Sequence, residues 1–129
     1  MKDAIGGLQA TGEKVTAELV FLGDGEIKLL DLERKIDGKI IAGGKFGKTA
    51  LAKAIALEVA GIVTADISEE LFEEIEHGKT WEIGNECCFK LPLLVIEESS
   101  LAEVKDFDGK KAVLDPAEKK LILAEQTHA

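Results

Sequence analysis

The sequence predicts a single α/β domain built around a strand–helix–strand unit at residues 39–65. Three observations predict it. Residues 48–60, KTALAKAIALEVA, hold neither Gly nor Pro and are rich in Ala, so helix propensity is high. Short apolar runs flank that segment, Lys39–Ala42 before it and Gly61–Ala65 after it. Further strand-like runs lie toward both ends of the chain, at 14–21, 26–32, 91–96, 110–114 and 120–124. A strand–helix–strand unit this compact forms a right-handed parallel crossover.

The elements follow in order. Residues 1–12 read as a loose N-terminal tail, 13–124 as the domain and 125–129 as a C-terminal tail. KVTAELVF at 14–21 is apolar and β-branched, and Gly23-Asp24-Gly25 suits a hairpin turn back through 26–32. In the helix, Leu51, Ala54, Ile55 and Val59 share one face, and Gly61 fits its C-terminal cap. Asp66 or Ser68 can N-cap a second helix, whose first turn carries Glu69 and Glu70 and whose apolar face is Leu71, Phe72 and Ile75. Residues 79–90 carry no clear pattern. Leu91–Ile96 is the clearest central strand, with Pro92 tolerated near its start. A short helical turn at 99–107 and a hairpin around Asp115-Pro116 complete the domain.

Composition narrows the function. The chain has 129 residues, 46% of them hydrophobic, enough for a core without disulfides or metal. Its formal charge of -9 argues against general binding to nucleic acid or to anionic lipid. No apolar run approaches the ~20 residues of a membrane span, and no signal-peptide pattern opens the sequence, so a cytoplasmic protein is expected.

The residues richest in chemistry are Ala42-Gly43-Gly44-Lys45-Phe46-Gly47-Lys48-Thr49. They follow a predicted strand, open a helix and fall one residue short of a strict phosphate-binding P-loop. In such a loop, successive backbone N–H groups wrap a phosphate, the Lys neutralises it and the Thr binds magnesium. Lys48 and Thr49 occupy those last two roles, which would make ATP or GTP with magnesium the ligand. Leu93–Ile96 followed by Glu97-Glu98 imitates the second strand of such a site, with Glu where Asp is usual. The competing reading is a Gly-rich turn that packs a helix onto a sheet. Gly43, Gly44, Gly47, Lys48, Thr49 and Asp66 form the candidate ligand-binding set under either reading, because a helix N-terminus attracts anions.

Over residues 37–124 the succession GKIIAGGKFGKTALAKAIALEVAGIVTADI, LPLLVIEE and DGKKAVLDPAEKKLIL resembles the swivelling β/β/α domains. These include the phosphohistidine domain of phosphoenolpyruvate-utilising enzymes and the small subunit of aconitase-X-like dehydratases. The resemblance implies a Gly-rich loop and a helix set on a β core. In the phosphohistidine domain the loop reads Gly-Gly-x-Thr-Ser-His. Gly43-Gly44 match it, Phe46 and Gly47 replace the Thr and Ser, and Lys48 stands at the histidine, so phosphotransfer through His is not implied.

The remaining chemistry-bearing residues have simpler readings. Cys87 and Cys88 are adjacent, which gives no disulfide framework, and zinc needs more ligands than His77 and Glu86 supply beside them. His77 suits a helix C-terminus, and Asp66 follows a parallel strand where α/β proteins often place functional groups. The expected role is a non-catalytic binding or interaction module that holds an anion at the Gly-rich loop, with no cofactor and no metal. The alternatives are a nucleotide-binding or phosphoryl-transfer protein, and a structural homo-oligomer whose terminal strands pair across subunits. Membership of a larger enzyme complex fits the resemblance.

Overall fold

The computed structural model describes residues 4–32, 35–76 and 91–123. The predicted α/β class holds. Among the described residues, eight strands form one sheet in the order β1-β8-β7-β3-β4-β5-β6-β2. They are β1 Ala4–Gly6, β2 Gln9–Thr11, β3 Val15–Glu26, β4 Ile40–Lys45, β5 Gly61–Asp66, β6 Leu93–Val95, β7 Lys111–Asp115 and β8 Lys120–Leu123. Three α-helices join them: α1 Lys48–Ala56, α2 Glu69–Glu76 and α3 Leu101–Lys105.

The carboxyl half of β3 pairs in parallel with β4, β4 with β5, and β5 with β6. β1, β7, β8 and the first half of β3 pair antiparallel. Side chains alternate across a strand, so each central strand feeds two cores. Val20, Ile41, Ile62, Leu93 and Val95 pack with Leu51 and Ala54 of α1 and with Leu71 and Phe72 of α2. Their neighbours Leu19, Ile40, Ala42, Val63 and Leu94 pack with Ile5, Leu114, Leu121 and Leu123 of the antiparallel strands. The result is three layers, with the parallel strands between helices and an antiparallel sheet. Burial on both faces stabilises those strands at about 25 cal/mol per Å² of apolar surface removed from water.

The βαβ unit and the C-terminal hairpin form as predicted, as β4–α1–β5 and β7–β8. Other expectations need correction. The supposed tail holds β1 and β2, which lie at the two ends of the sheet order. Gly7 and Leu8 link them, donating to Lys119 O at 2.8 Å and to Val95 O at 2.6 Å. The sheet therefore curls until its ends meet, and both end strands have only three residues. That leaves little edge for the strand pairing between subunits that the homo-oligomer reading invoked.

Gly23-Asp24-Gly25 is not a hairpin turn. β3 runs straight through it with register shifts, and Leu29–Leu32 is a 3-10 turn rather than a returning strand. The partner of β3 beyond Leu19 is β4, more than fifteen residues away in sequence, which no local pattern reveals. The helix stops at Ala56 rather than Ala60. Glu58 takes the left-handed conformation (φ 62), with Glu58 N–H donating to Ile55 O and Val59 N–H to Ala54 O. That is the Schellman arrangement with Glu in the glycine position. Gly61 is instead a buried strand residue, where a Cβ would come within 2.8 Å of the Leu114 side chain.

The strand β4 also runs three residues past its predicted end, through Gly43 and Gly44 to Lys45. A Cβ on Gly44 would lie 2.1 Å from Asp24 O and 2.8 Å from Gly25 O. A Cβ on Gly43 would lie 2.5 Å from the Ile27 side chain. Both glycines therefore let the tail of β3 lie directly on β4. By contrast, a Cβ on Gly47 meets nothing within 4 Å. Gly44→Ala is expected to lower stability by about 3 kcal/mol, and Gly47→Ala by no more than about 1 kcal/mol. Urea unfolding of the two variants checks this, and equal effects would contradict the packing assigned to Gly44.

Candidate functional site

The parallel strands end together at one edge of the sheet, the place where open α/β sheets bind ligands. Glu26 of β3 stands in register with Lys45 of β4, and Lys45 with Asp66 of β5. The row therefore fixes an alternating charge pattern, acid–base–acid, along this edge.

Between β4 and α1 lie only Phe46 and Gly47. The Phe46 side chain is buried in the helix-side core, and its N–H donates to Asp66 O at 3.3 Å. Gly47 is the N-cap of α1, with extended backbone (φ -91, ψ 177) and no side-chain cap hydrogen bond. Its carbonyl accepts from Leu51 N–H at 2.9 Å, the first bond of the helix. Gly47 brings no side-chain acceptor to the first turn, and the positive end of the helix dipole lies at this edge.

Beside that helix end is a groove of ≈ 250 Å³. Gly47, Thr49 and Ala50 form one wall, and Glu26 to Leu29 form the other. The sequence-derived set is thus only partly brought together. Gly47 and Thr49 line the groove, and exposed Lys48 is the first residue of α1 beside them. Asp66 is exposed at the end of β5. Gly43 and Gly44 are buried in the sheet, not in a loop. The connection that remains, Phe46 and Gly47, is two residues long, shorter than the loop expected over residues 42–49. The reason is steric: the glycines accommodate the β3 tail. The second wall, Glu26 to Leu29, escaped sequence reading because Gly23-Asp24-Gly25 suggested a turn that would carry those residues away.

The N-cap of α2 is Ser68, not Asp66. Ser68 Oγ accepts from Leu71 N–H at 3.2 Å, and Ser68 O accepts from Phe72 N–H at 3.0 Å. Asp66 instead receives its order from Thr64, a buried polar residue that the sequence did not single out. Thr64 Oγ1 accepts from Asp66 N–H at 3.3 Å and lies 3.1 Å from Asp66 O and 3.4 Å from Gly44 O. One hydroxyl thereby ties the ends of β4 and β5 at the edge of the site. β-branched and able to be satisfied within a strand, Thr64 gives no sequence signal beyond strand propensity.

Among the described residues no three His, Cys, Asp or Glu side chains group to hold a metal. His77, Cys87, Cys88 and His128 lie outside the described residues. No described helix is long and apolar enough to cross a membrane.

Comparison with known proteins bears on the fold. No protein-family model matches the chain, and a search of curated proteins found no match. Among solved structures, the chain is similar to the solution NMR structure of a UPF0107 protein, with TM-score 0.63 and 17% identity. The match covers 93% of this chain and 98% of that one. At that identity the likeness establishes a shared fold.

Ser68→Ala is expected to cost about 1 kcal/mol of stability through the lost cap. Asp66→Asn, which keeps every backbone bond named above, is expected to change stability by less than about 0.5 kcal/mol. Thermal unfolding of both variants tests the assignment, and the opposite ranking would return the cap to Asp66.

Proposed function

We propose that the chain is a swivelling-type β/β/α domain that acts as a small, non-catalytic binding module and holds an anionic group at the N-terminus of α1. The observation that carries the reading is the glycine-capped start of α1, opening beside a groove at the carboxyl edge of the parallel strands. Backbone N–H groups there point outward and the helix dipole favours negative charge. Lys28 lines the groove and Lys48 begins the helix, so two ammonium groups lie near any anion held there. Glu26 on the groove wall limits how much negative charge is tolerated. A singly or doubly charged phosphate or carboxylate group fits this balance better than a triphosphate.

The three-layer arrangement supports the swivelling assignment, since these domains set a helix and Gly-rich segment on paired β layers. Fold analogy alone says little about activity, and the site itself supports binding rather than chemistry. Among the described residues, the edge carries lysines, carboxylates and the threonines Thr49 and Thr64, with no nucleophile paired to a base. Leu29 and Leu30, exposed at 44% and 72%, stand beside the groove. They suit contact with a further protein surface, as expected of a domain that works within a larger enzyme complex in the cytoplasm.

Titration with inorganic phosphate, followed by amide chemical shifts in NMR, tests the reading. Saturable shifts are expected at Gly47, Lys48, Thr49 and Ala50, with affinity weakened about two- to fivefold in Lys48→Ala. Absence of shifts at these amides would sink the anion site. Much tighter, magnesium-dependent binding of ATP or GTP at the same amides would replace it with the nucleotide reading.

A further inference from the structure

A second and larger groove opens at the same edge, on the other face of the central sheet. It holds ≈ 360 Å³, within the range of about 300–1,000 Å³ typical of small-molecule sites. One wall is the carboxyl half of β3, contributing Phe21 and Asp24. The other is the segment from Glu98 to Lys105, a 3-10 turn at Glu98–Ser100 that runs into α3.

The backbone sets how these walls face each other. Asp108 Oδ1 accepts from Phe21 N–H at 2.8 Å, and Gly109 N–H donates to Leu19 O at 2.7 Å. The segment just after α3 is thereby tied to the level of Leu19–Phe21. From there β3 rises about 6 Å to Asp24, because its register shifts spread the five steps from Phe21 to Glu26 over the three steps from Ala42 to Lys45 of β4, at about 3.3 Å each. The opposite wall descends from that edge, because only Ile96 and Glu97 separate Glu98 from the end of β6, which is parallel to β5 and β4. Asp24 and Glu98 therefore share the upper end of the groove. Lys105 lies at the lower end, about 10 Å from Glu98 along the helical wall. Between them the lining is apolar: Phe21 on one side, Leu101 and Ala102 on the other, with Ser99 near the acidic end. Leu101 and Val104 anchor α3 in the antiparallel-side core, so the wall is fixed in place.

The groove thus has two carboxylates at one end, an apolar middle and an ammonium at the other. From this geometry we infer that it binds a linear zwitterion: an apolar chain with an ammonium group at one end and a carboxylate at the other. The ammonium pairs with Asp24 and Glu98, the carboxylate with Lys105, and the methylene chain lies on Phe21, Leu101 and Ala102. An anion alone would meet the two carboxylates, and a simple cation would leave Lys105 without its counterpart. The site is independent of the α1 groove and uses different residues.

The test uses ε-aminocaproate as probe, with hexylamine and caproate as analogues that each lack one charged end. Amide shifts of the whole chain are followed by NMR. ε-Aminocaproate is expected to shift Phe21 to Asp24 and Ser99 to Lys105 saturably, and each analogue to bind about two- to fivefold more weakly. The double variant D24N/E98Q and the single variant K105Q should each weaken ε-aminocaproate by a similar factor. All three side chains are exposed, so the fold is expected to survive, and thermal unfolding verifies that. No saturable shift at these amides overturns the proposal. So does either analogue binding as tightly as the zwitterion, or either variant binding as tightly as the native chain. Phosphate shifts at Gly47–Ala50 report on the other groove and do not affect this outcome.

Discussion

The close approach of the β3 tail to β4 governs the rest of the structure. The backbone of Asp24 and Gly25 lies on Gly44, and the Ile27 side chain lies on Gly43. Any side chain at Gly44 would meet main-chain oxygen, which cannot move aside as a flexible side chain can. The contact keeps β4 in the sheet as far as Lys45, where Ile27 N–H donates to Lys45 O at 2.8 Å. It leaves only Phe46 and Gly47 to connect strand to helix. It also makes the β3 tail a shared partition: Phe21 and Asp24 face one groove, and Glu26 to Leu29 face the other. Both candidate binding places exist because this one segment stays down on the sheet.

The same contact explains what was legible in the sequence. The βαβ unit and the C-terminal hairpin are local: each is specified by a periodic apolar run and a turn signal within its own span. The strand at Leu93–Val95 was equally clear, being apolar without interruption and buried on both faces. β1 and β2 were not legible, because a three-residue strand carries no usable period and its identity depends on distant partners, β8 and β6. The N-terminal hairpin failed for a related reason. Gly23-Asp24-Gly25 has the composition of a turn, but here the glycines serve close backbone approach and a bulged strand. The helix end was misplaced by assuming that the left-handed residue would be glycine, when Glu58 accepts that conformation.

For the site, glycine spacing had two physical meanings and the sequence could not separate them. A glycine can free backbone N–H groups to curl round a phosphate, or it can make room for another backbone. Gly43 and Gly44 do the second. Gly47 alone keeps a role at the helix end, and Lys48 and Thr49 keep their places in the first turn of α1. The near-match to a P-loop drew in Gly43 and Gly44, which lie in strand β4 rather than in a loop. What it could not reach was the other half of each groove. Glu26 to Leu29 on one groove, and Asp24 opposite the Glu98–Lys105 segment on the other, follow from β3 meeting β4, a long-range event.

Charge then decides what this edge can hold. Lys45 is exposed and lies at the end of the central strand β4. Its register places it between Glu26 and Asp66, so its field is opposed on both sides. An anion approaching Lys45 would meet two carboxylates for one ammonium. At the start of α1 the balance differs, because the attracting groups there include main-chain N–H dipoles that carry no counter-charge of their own. With a formal charge of -9 over the whole chain, only a locally directed donor set offsets the general repulsion of anions. That repulsion is long-ranged but screened beyond about 8–10 Å at moderate salt, whereas hydrogen bonds to the helix end act at contact. An anion held at this edge would therefore depend on short-range geometry rather than on attraction from a distance.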